Sequence, residues 1–435
     1  MVGLSETPPI LEEQAEGLAT QSSLREHTPP GSSGQSLQST STPLTSKGSS
    51  IDAGSISATD DDASNSDRAA TTSVTSNVWK FDKENGRTYH GYRSGVYYYP
   101  NDPKESERLD FQYNVIQEAL SNKLHFAPIN NPRTVLDIGT GTGIWAIEMG
   151  DAYPDALIEA TDLSPIQPEV VPENVQFIID DAAEEDWAVP ENHYDFIHTR
   201  IMMGSFEDFG QIIRRGFKYT KPGGWMESQD VMHPPFSDDG SMPADWPFRQ
   251  WSKDIEDAAR DAGRPLRTAN KMKRWFIEAG FVDVHERFIK LPINTWPRDK
   301  RVKILGHWWA ENLLSGLQGF SLALLSRVYN WSKEEIEVYL VNVRKAIVDR
   351  KVHAYHKFYT VWGRKPLPHE VVTPKARASG GLDTASSGKE PSQQVPDPDM
   401  ICAEPIVPDP QLSDAPTDLP PLPPPLMAEE EFVRD

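Results

Sequence analysis

Val135-Leu136-Asp137-Ile138-Gly139-Thr140-Gly141-Thr142-Gly143-Ile144-Trp145 is the stretch on which the fold turns. A short apolar run ends near an acid, passes three alternating glycines and opens into a helical pattern. Glycines at every second position let the backbone take positive φ and let a ligand come close to the main chain. The helix that follows offers its N-terminal N–H groups to that ligand. Asp137 decides which ligand. A carboxylate ahead of the loop sits badly against a pyrophosphate and suits an ammonium or sulfonium group. The dinucleotide fingerprint G-x-G-x-x-G also fails, because its third glycine falls on Ile144. The stretch reads as a nucleoside site for a cationic ligand, and S-adenosylmethionine is the expected one.

Outward from this loop, strands and helices alternate, the mark of a parallel sheet with crossover helices. Strands are predicted at 134–137, 157–161, 175–179, 194–198, 225–229 and 282–289. Helices are predicted at 144–152, 209–219 and 269–279, the second stopped by Lys221-Pro222-Gly223-Gly224. Ahead of the loop lies an aromatic lead-in over 78–100. A stripe of Leu109, Tyr113, Ile116 and Leu120 then has helical spacing and is read as core packing. Residues 299–350 break the rhythm with helices, one opening on the capping box Ser332-Lys333-Glu334-Glu335. His353 to Trp362 returns to a β pattern as strand seven, expected to insert antiparallel between strands five and six.

The rest of the chain bounds the function. Of 435 residues, 1–75 are rich in Ser and Thr, and 369–435 are rich in Pro and acid. Neither has the apolar content to offset chain entropy, so both are expected to be disordered tails. The domain is expected over 76–368, with a core at 130–290, a helical insertion at 299–350 and a last strand at 353–363. A formal charge of −22 argues against direct binding of nucleic acid or of an anionic membrane. The lone cysteine, Cys402, excludes an intramolecular disulfide framework and a cysteine metal cluster. No apolar run reaches membrane-spanning length. An intracellular protein of nucleus or cytoplasm is expected, without a metal.

The wording of several segments is closer to one family. Arg87-Thr88-Tyr89-His90-Gly91-Tyr92, Arg108-Leu109-Asp110-Phe111-Gln112, Asp162-Leu163-Ser164-Pro165-Ile166-Gln167-Pro168, Phe196-Ile197-His198-Thr199-Arg200 and Trp362-Gly363-Arg364-Lys365-Pro366 resemble the fungal LaeA-like branch of class I S-adenosylmethionine-dependent methyltransferases. The resemblance spans about residues 78 to 366. It implies an α/β fold, a Rossmann-like seven-stranded methyltransferase sheet with strand seven antiparallel, and a role in regulating secondary metabolism or development.

Candidate site residues follow from strand ends. Gly139, Thr140, Gly141 and Gly143 would pass close to the methionine part of the cofactor, with Asp137 holding its ammonium. Asp162, with Leu163 beside it, lies about 25 residues beyond Asp137, near the interval of about 20 for a ribose-binding acid. Asp180 or Asp181 would accept from the adenine amino group, with the Ala182 N–H donating nearby; a capping role is the other reading of both acids. His198 faces the expected acceptor side as a general base or stands as a structural histidine. Arg200 is read as a surface or helix-end residue in preference to a carboxylate clamp. Trp308 and Trp309 either cover the acceptor or pack the insertion. Methyl transfer from a sulfonium is an in-line displacement that rests largely on positioning, so no dedicated base is required. The acceptor, small molecule or protein, is not written in any motif. Three readings stand: a regulatory methyltransferase with protein partners held by its tails, a small-molecule methyltransferase, and a cofactor-binding scaffold without turnover. Thr-Pro sites at Thr7, Thr28, Thr42 and Thr373, and the polyproline run near 420, are candidate partner or modification motifs in the tails.

Overall fold

A computed structural model describes residues 80–370. The tail motifs and nearly all of both expected tails lie outside that range. Within the aromatic lead-in, ahead of the expected helix, the described chain opens with a hairpin of β1 (Asp82–Glu84) and β2 (Arg87–Tyr89). Its turn is Asn85-Gly86, both at positive φ, the sequence such a turn demands. Residues 90–101 then run as a strap into α1 (Pro103–Ala119), where Asp102 caps the helix and binds the Arg87 guanidinium. Tyr113, Ile116 and Leu120 are buried as the spacing predicted.

From there the order is β3 (Thr134–Ile138), α2 (Ile144–Ala152), β4 (Leu157–Asp162), β5 (Val175–Ile179), β6 (Tyr194–Arg200), α3 (Phe209–Tyr219), β7 (Thr220–Phe236), α4 (Pro247–Asp261), α5 (Met272–Ala279), β8 (Val282–Pro292), α6 (Lys300–Tyr329), α7 (Lys333–Ile347) and β9 (Tyr355–Arg364). One sheet of seven strands results, in the order β5-β4-β3-β6-β7-β9-β8. Only β9 runs antiparallel to its neighbours, inserted between β7 and β8 as expected for strand seven. Among the described residues no helix is long and apolar enough to cross a membrane.

Alternation along the strands splits the core. Val135 and Phe196 pack under α2 with Trp145 and Met149, whereas Leu136 and Ile197 face α3 and α5. Each such fully buried side chain contributes roughly 1.5–3 kcal/mol. A third cluster joins α4, α6 and α7 to Val231, Leu291 and Phe358. The capping box is present, with Ser332 and Glu335 bonded reciprocally.

At three places the structure adds to the sequence reading or differs from it. Strand five extends from 225–229 to Thr220–Phe236, because its outer half pairs with β9 rather than ending at the cavity. The Lys221-Pro222-Gly223-Gly224 segment ends the helix but is itself an irregularity in the β6–β7 pairing, as a residue without an N–H and a glycine at φ 84° require. Helix α4, at residues 247–261, was not predicted at all.

Candidate functional site

The carboxyl ends of β3 to β6 open into a cavity of about 620 Å³, within the range of small-molecule sites. The strap closes one side and α1, α4 and α6 close the others. Gly139, Gly141 and Gly143 all have positive φ (70°, 60° and 85°), and Gly143 starts α2. The N–H groups of Gly139 and Thr140 donate to the Thr161 carbonyl at 2.8 and 3.0 Å, which ties the loop to the end of β4. Gln167, from the Pro-Ile-Gln-Pro segment, donates to the Gly141 carbonyl at 2.6 Å. A Cβ on Gly143 would overlap the Phe177 ring, so the loop is closely packed from behind.

Asp162 ends β4 with each carboxylate oxygen accepting one backbone N–H, from Ser164 and from Gly141, both at 2.9 Å. Each oxygen keeps a further lone pair for a ligand. Burial pushes the Asp162 carboxyl up to about 6 against these donors. Asp180 and Asp181 follow β5. Asp181 caps the next turn through the Ala183 N–H, and its other oxygen lies 3.7 Å from the Arg93 Nε of the strap. Burial raises the Asp180 carboxyl. Leu163 and Ala182 also line the cavity.

Asp137 is buried, and its Oδ1 lies 2.8 Å from His198 Nδ1. Adjacent register brings them together: β3 pairs with β6 so that Asp137 stands opposite His198. The His198 ring is fully enclosed, stacked on Trp145 at 3.8 Å between centroids and 8° between planes. Desolvation outweighs the neighbouring acid and pulls its pKa down to about 4. Against the expectation of a surface residue, Arg200 ends β6 in the cavity wall. No local signal in the sequence shows that α1 roofs this strand end. His353 lies ahead of β9, bonded to Asp239, while His356 is buried, so the two do not meet.

Several lining residues were not foreseen. Arg93, Tyr97, Tyr99 and Asn101 come from the strap, and Asn101 donates to Ser164 Oγ at 3.2 Å. Trp251, Ile255 and His233 come from α4 and the extension of β7. Trp309 lines the cavity and donates to His356 Nδ1 at 3.1 Å, whereas Trp308 packs on the core. The helical spacing of Phe248, Trp251, Ile255 and Ala258 is a signal that would have revealed α4.

The residues present suit S-adenosylmethionine. Buried Thr140 Oγ1 lacks a protein partner, Asp162 holds spare lone pairs, and acids outnumber cations along the loop, as a cationic nucleoside needs.

The comparisons agree. A family model described as a methyltransferase domain matches residues 111–286. The chain is 39% identical over 297 residues to "Methyltransferase pytC" of Aspergillus terreus, covering 68% of this chain and 91% of that one. It is 37% identical to "Secondary metabolism regulator LAE1" of Cochliobolus heterostrophus (65% and 94% covered). It is 34% identical to "Protein-methionine methyltransferase laeA" of Emericella nidulans (66% and 77% covered). A parallel sheet closed by one antiparallel strand, a glycine loop behind an acid and relatives of this similarity lead to one assignment: the chain belongs to the class I S-adenosylmethionine-dependent methyltransferases, in their LaeA-like branch.

Proposed function

We propose that residues 76–368 form the catalytic domain of a methyltransferase that regulates secondary metabolism or development. In this reading Gly139, Thr140, Gly141 and Gly143 receive the methionine end and Asp137 its ammonium. Asp162 and Leu163 receive the ribose, and Asp180, Asp181 and Ala182 the adenine. The observation that carries it is the convergence of these three strand ends on one cavity, with Asp162 hydrogen-bonded to the loop itself. The bound cofactor supplies a methyl group activated for transfer to a nucleophile. The protein's part is positioning and exclusion of water, which the strap and the helices over the cavity provide.

His198 is assigned to positioning. A carboxylate accepts, so His198 Nδ1 donates to Asp137 and holds it toward the loop. An enclosed ring with a pKa near 4 is a poor base at neutral pH.

The regulatory role is supported by relatives that bear that name at 37% and 34% identity. In this reading the protein acts inside the cell, in the nucleus or the cytoplasm, with regulatory partners held by the tails. Metabolite profiles of a deletion strain against wild type test it; unchanged secondary metabolites would argue against it. A second reading, a small-molecule acceptor, is favoured by the apolar inner wall of Trp251, Ile255, Trp309 and Leu313. Release of S-adenosylhomocysteine on cell extract, split by size into protein and metabolite fractions, distinguishes the two.

The cofactor assignment is tested by Asp162→Ala, which should weaken S-adenosylmethionine binding by roughly 1–3 kcal/mol in calorimetry. Asp162→Asn keeps the shape and separates loss of the charge from loss of the loop's support. Unchanged affinity in both variants would refute the ribose placement.

A further inference from the structure

In the cavity wall, Arg200 forms no ion pair and has an Nη1 without a partner among the described residues. Arg200 lies two residues beyond His198, so both leave β6 on the same face. Its Nε donates to the Gln229 side-chain oxygen at 2.9 Å and its Nη2 reaches that of Gln117 at 3.4 Å. The guanidinium carbon lies 5.3 Å from the centre of the Tyr113 ring. Nη1 is shut off from solvent and has no partner among the described residues. The acids that act on Arg200 are committed elsewhere. Asp137 holds His198, Glu148 accepts from the Tyr113 hydroxyl, and Glu227 accepts from the Phe126 and Ala127 N–H groups and from Gln229. A partly buried guanidinium beside neutral amides, with both Nη1 hydrogens unmet, carries a desolvation cost that an anionic ligand would offset.

We propose that Arg200 is the carboxylate-binding point of this cavity. The inference rests on the cofactor reading for its neighbour. Asp137 stands opposite His198 and Ile138 opposite Thr199, which sets Arg200 beside the start of the glycine loop. An acid and a guanidinium on one face complement the two charges of an α-amino-acid group, which S-adenosylmethionine carries. A carboxylate on the methyl acceptor has the same chemistry and would meet the same Nη1 group.

Calorimetry on the full chain separates the two sources. S-adenosylhomocysteine is compared with 5′-methylthioadenosine, which keeps the nucleoside and sulfur but lacks the amino-acid group. Arg200→Met should weaken S-adenosylhomocysteine roughly 10- to 100-fold and leave methylthioadenosine within about twofold. If S-adenosylhomocysteine holds its affinity in that variant, benzoate is titrated into the complex as a probe of the acceptor side. Binding to wild type but not to Arg200→Met then places the carboxylate on the acceptor. The proposal is overturned if neither ligand distinguishes Arg200→Met from wild type. Wild type binding neither nucleoside would defeat the cofactor reading instead, and the benzoate arm would still decide on Arg200. The unliganded Arg200→Met protein should melt no lower than wild type, because an apolar chain replaces an uncompensated charge. A clear fall in its melting temperature with unchanged ligand binding would assign Arg200 to structure. Should Arg200→Met not fold, Arg200→Lys keeps the charge without the planar fork, and should show a smaller loss in the same direction.

Discussion

The two ends of the cavity are built differently. At the cofactor end, the loop, Asp162 and Asp181 each sit where a strand stops, and hydrogen bonds between neighbouring strand ends hold them. At the inner end, Val231, Trp251, Trp309 and His356 come from the β7 extension, α4, α6 and β9, and only tertiary packing brings them together. The first end is polar and leans on backbone donors; the second is apolar, with histidines kept neutral by burial. The proposed donor and acceptor sides thus draw on different parts of the chain.

The largest expected effect tests how rigid the cofactor end is. Gly143→Ala puts a side chain at φ 85° and against the Phe177 ring. Strain and overpacking together should cost roughly 2–4 kcal/mol and abolish measurable cofactor binding. A melting curve and a cofactor titration matching wild type would show the loop to be adaptable, and the contrast with the inner end would weaken.

That contrast also explains what could be read from the sequence. The strand–loop–helix order over 134–219 carries its signals locally: apolar runs, strand-end acids and glycines at every second position. So do the capping box at Ser332 and the β pattern of the last strand, whose antiparallel place follows from the family resemblance. The Asn85-Gly86 turn and the spacing of Trp251 and Ile255 are equally local signals. Arg200 is another matter. Whether an arginine at a strand end meets water or a cavity depends on what roofs it, and here the roof is α1, which begins almost a hundred residues earlier. The pairing of His356 with Trp309 likewise exists only once β9 has inserted beside β7.

A smaller effect should appear in the pH dependence of the cofactor end. The Asp162 carboxyl, ordinarily near 3.8, is held at about 6 by burial. In the proposed placement its ionised form accepts from both ribose hydroxyls, so binding would favour loss of the proton. Affinity for S-adenosylhomocysteine should be flat above about pH 7 and fall by up to tenfold per unit below about 6. Asp162→Asn should flatten that profile. A wild-type profile level down to pH 5 would mean that Asp162 does not exchange its proton on binding.

The smallest effect belongs to the inner end and asks whether it is independent of the first. Trp309→Phe keeps the ring but removes the Nε1 donor to His356 Nδ1. With that bond, His356 must carry its proton on Nε2, a buried atom without a partner among the described residues. Without it, the neutral ring is free to change tautomer, and Nδ1 is left as an unmet acceptor. Stability should fall by roughly 1 kcal/mol, a few degrees in melting temperature. Cofactor affinity should stay within about twofold, because neither residue touches the glycine loop or its acids. Methyl transfer to an identified acceptor should change more than cofactor binding does. A parallel loss of cofactor affinity would join the two ends into one cooperative unit and make the inner wall part of the donor site.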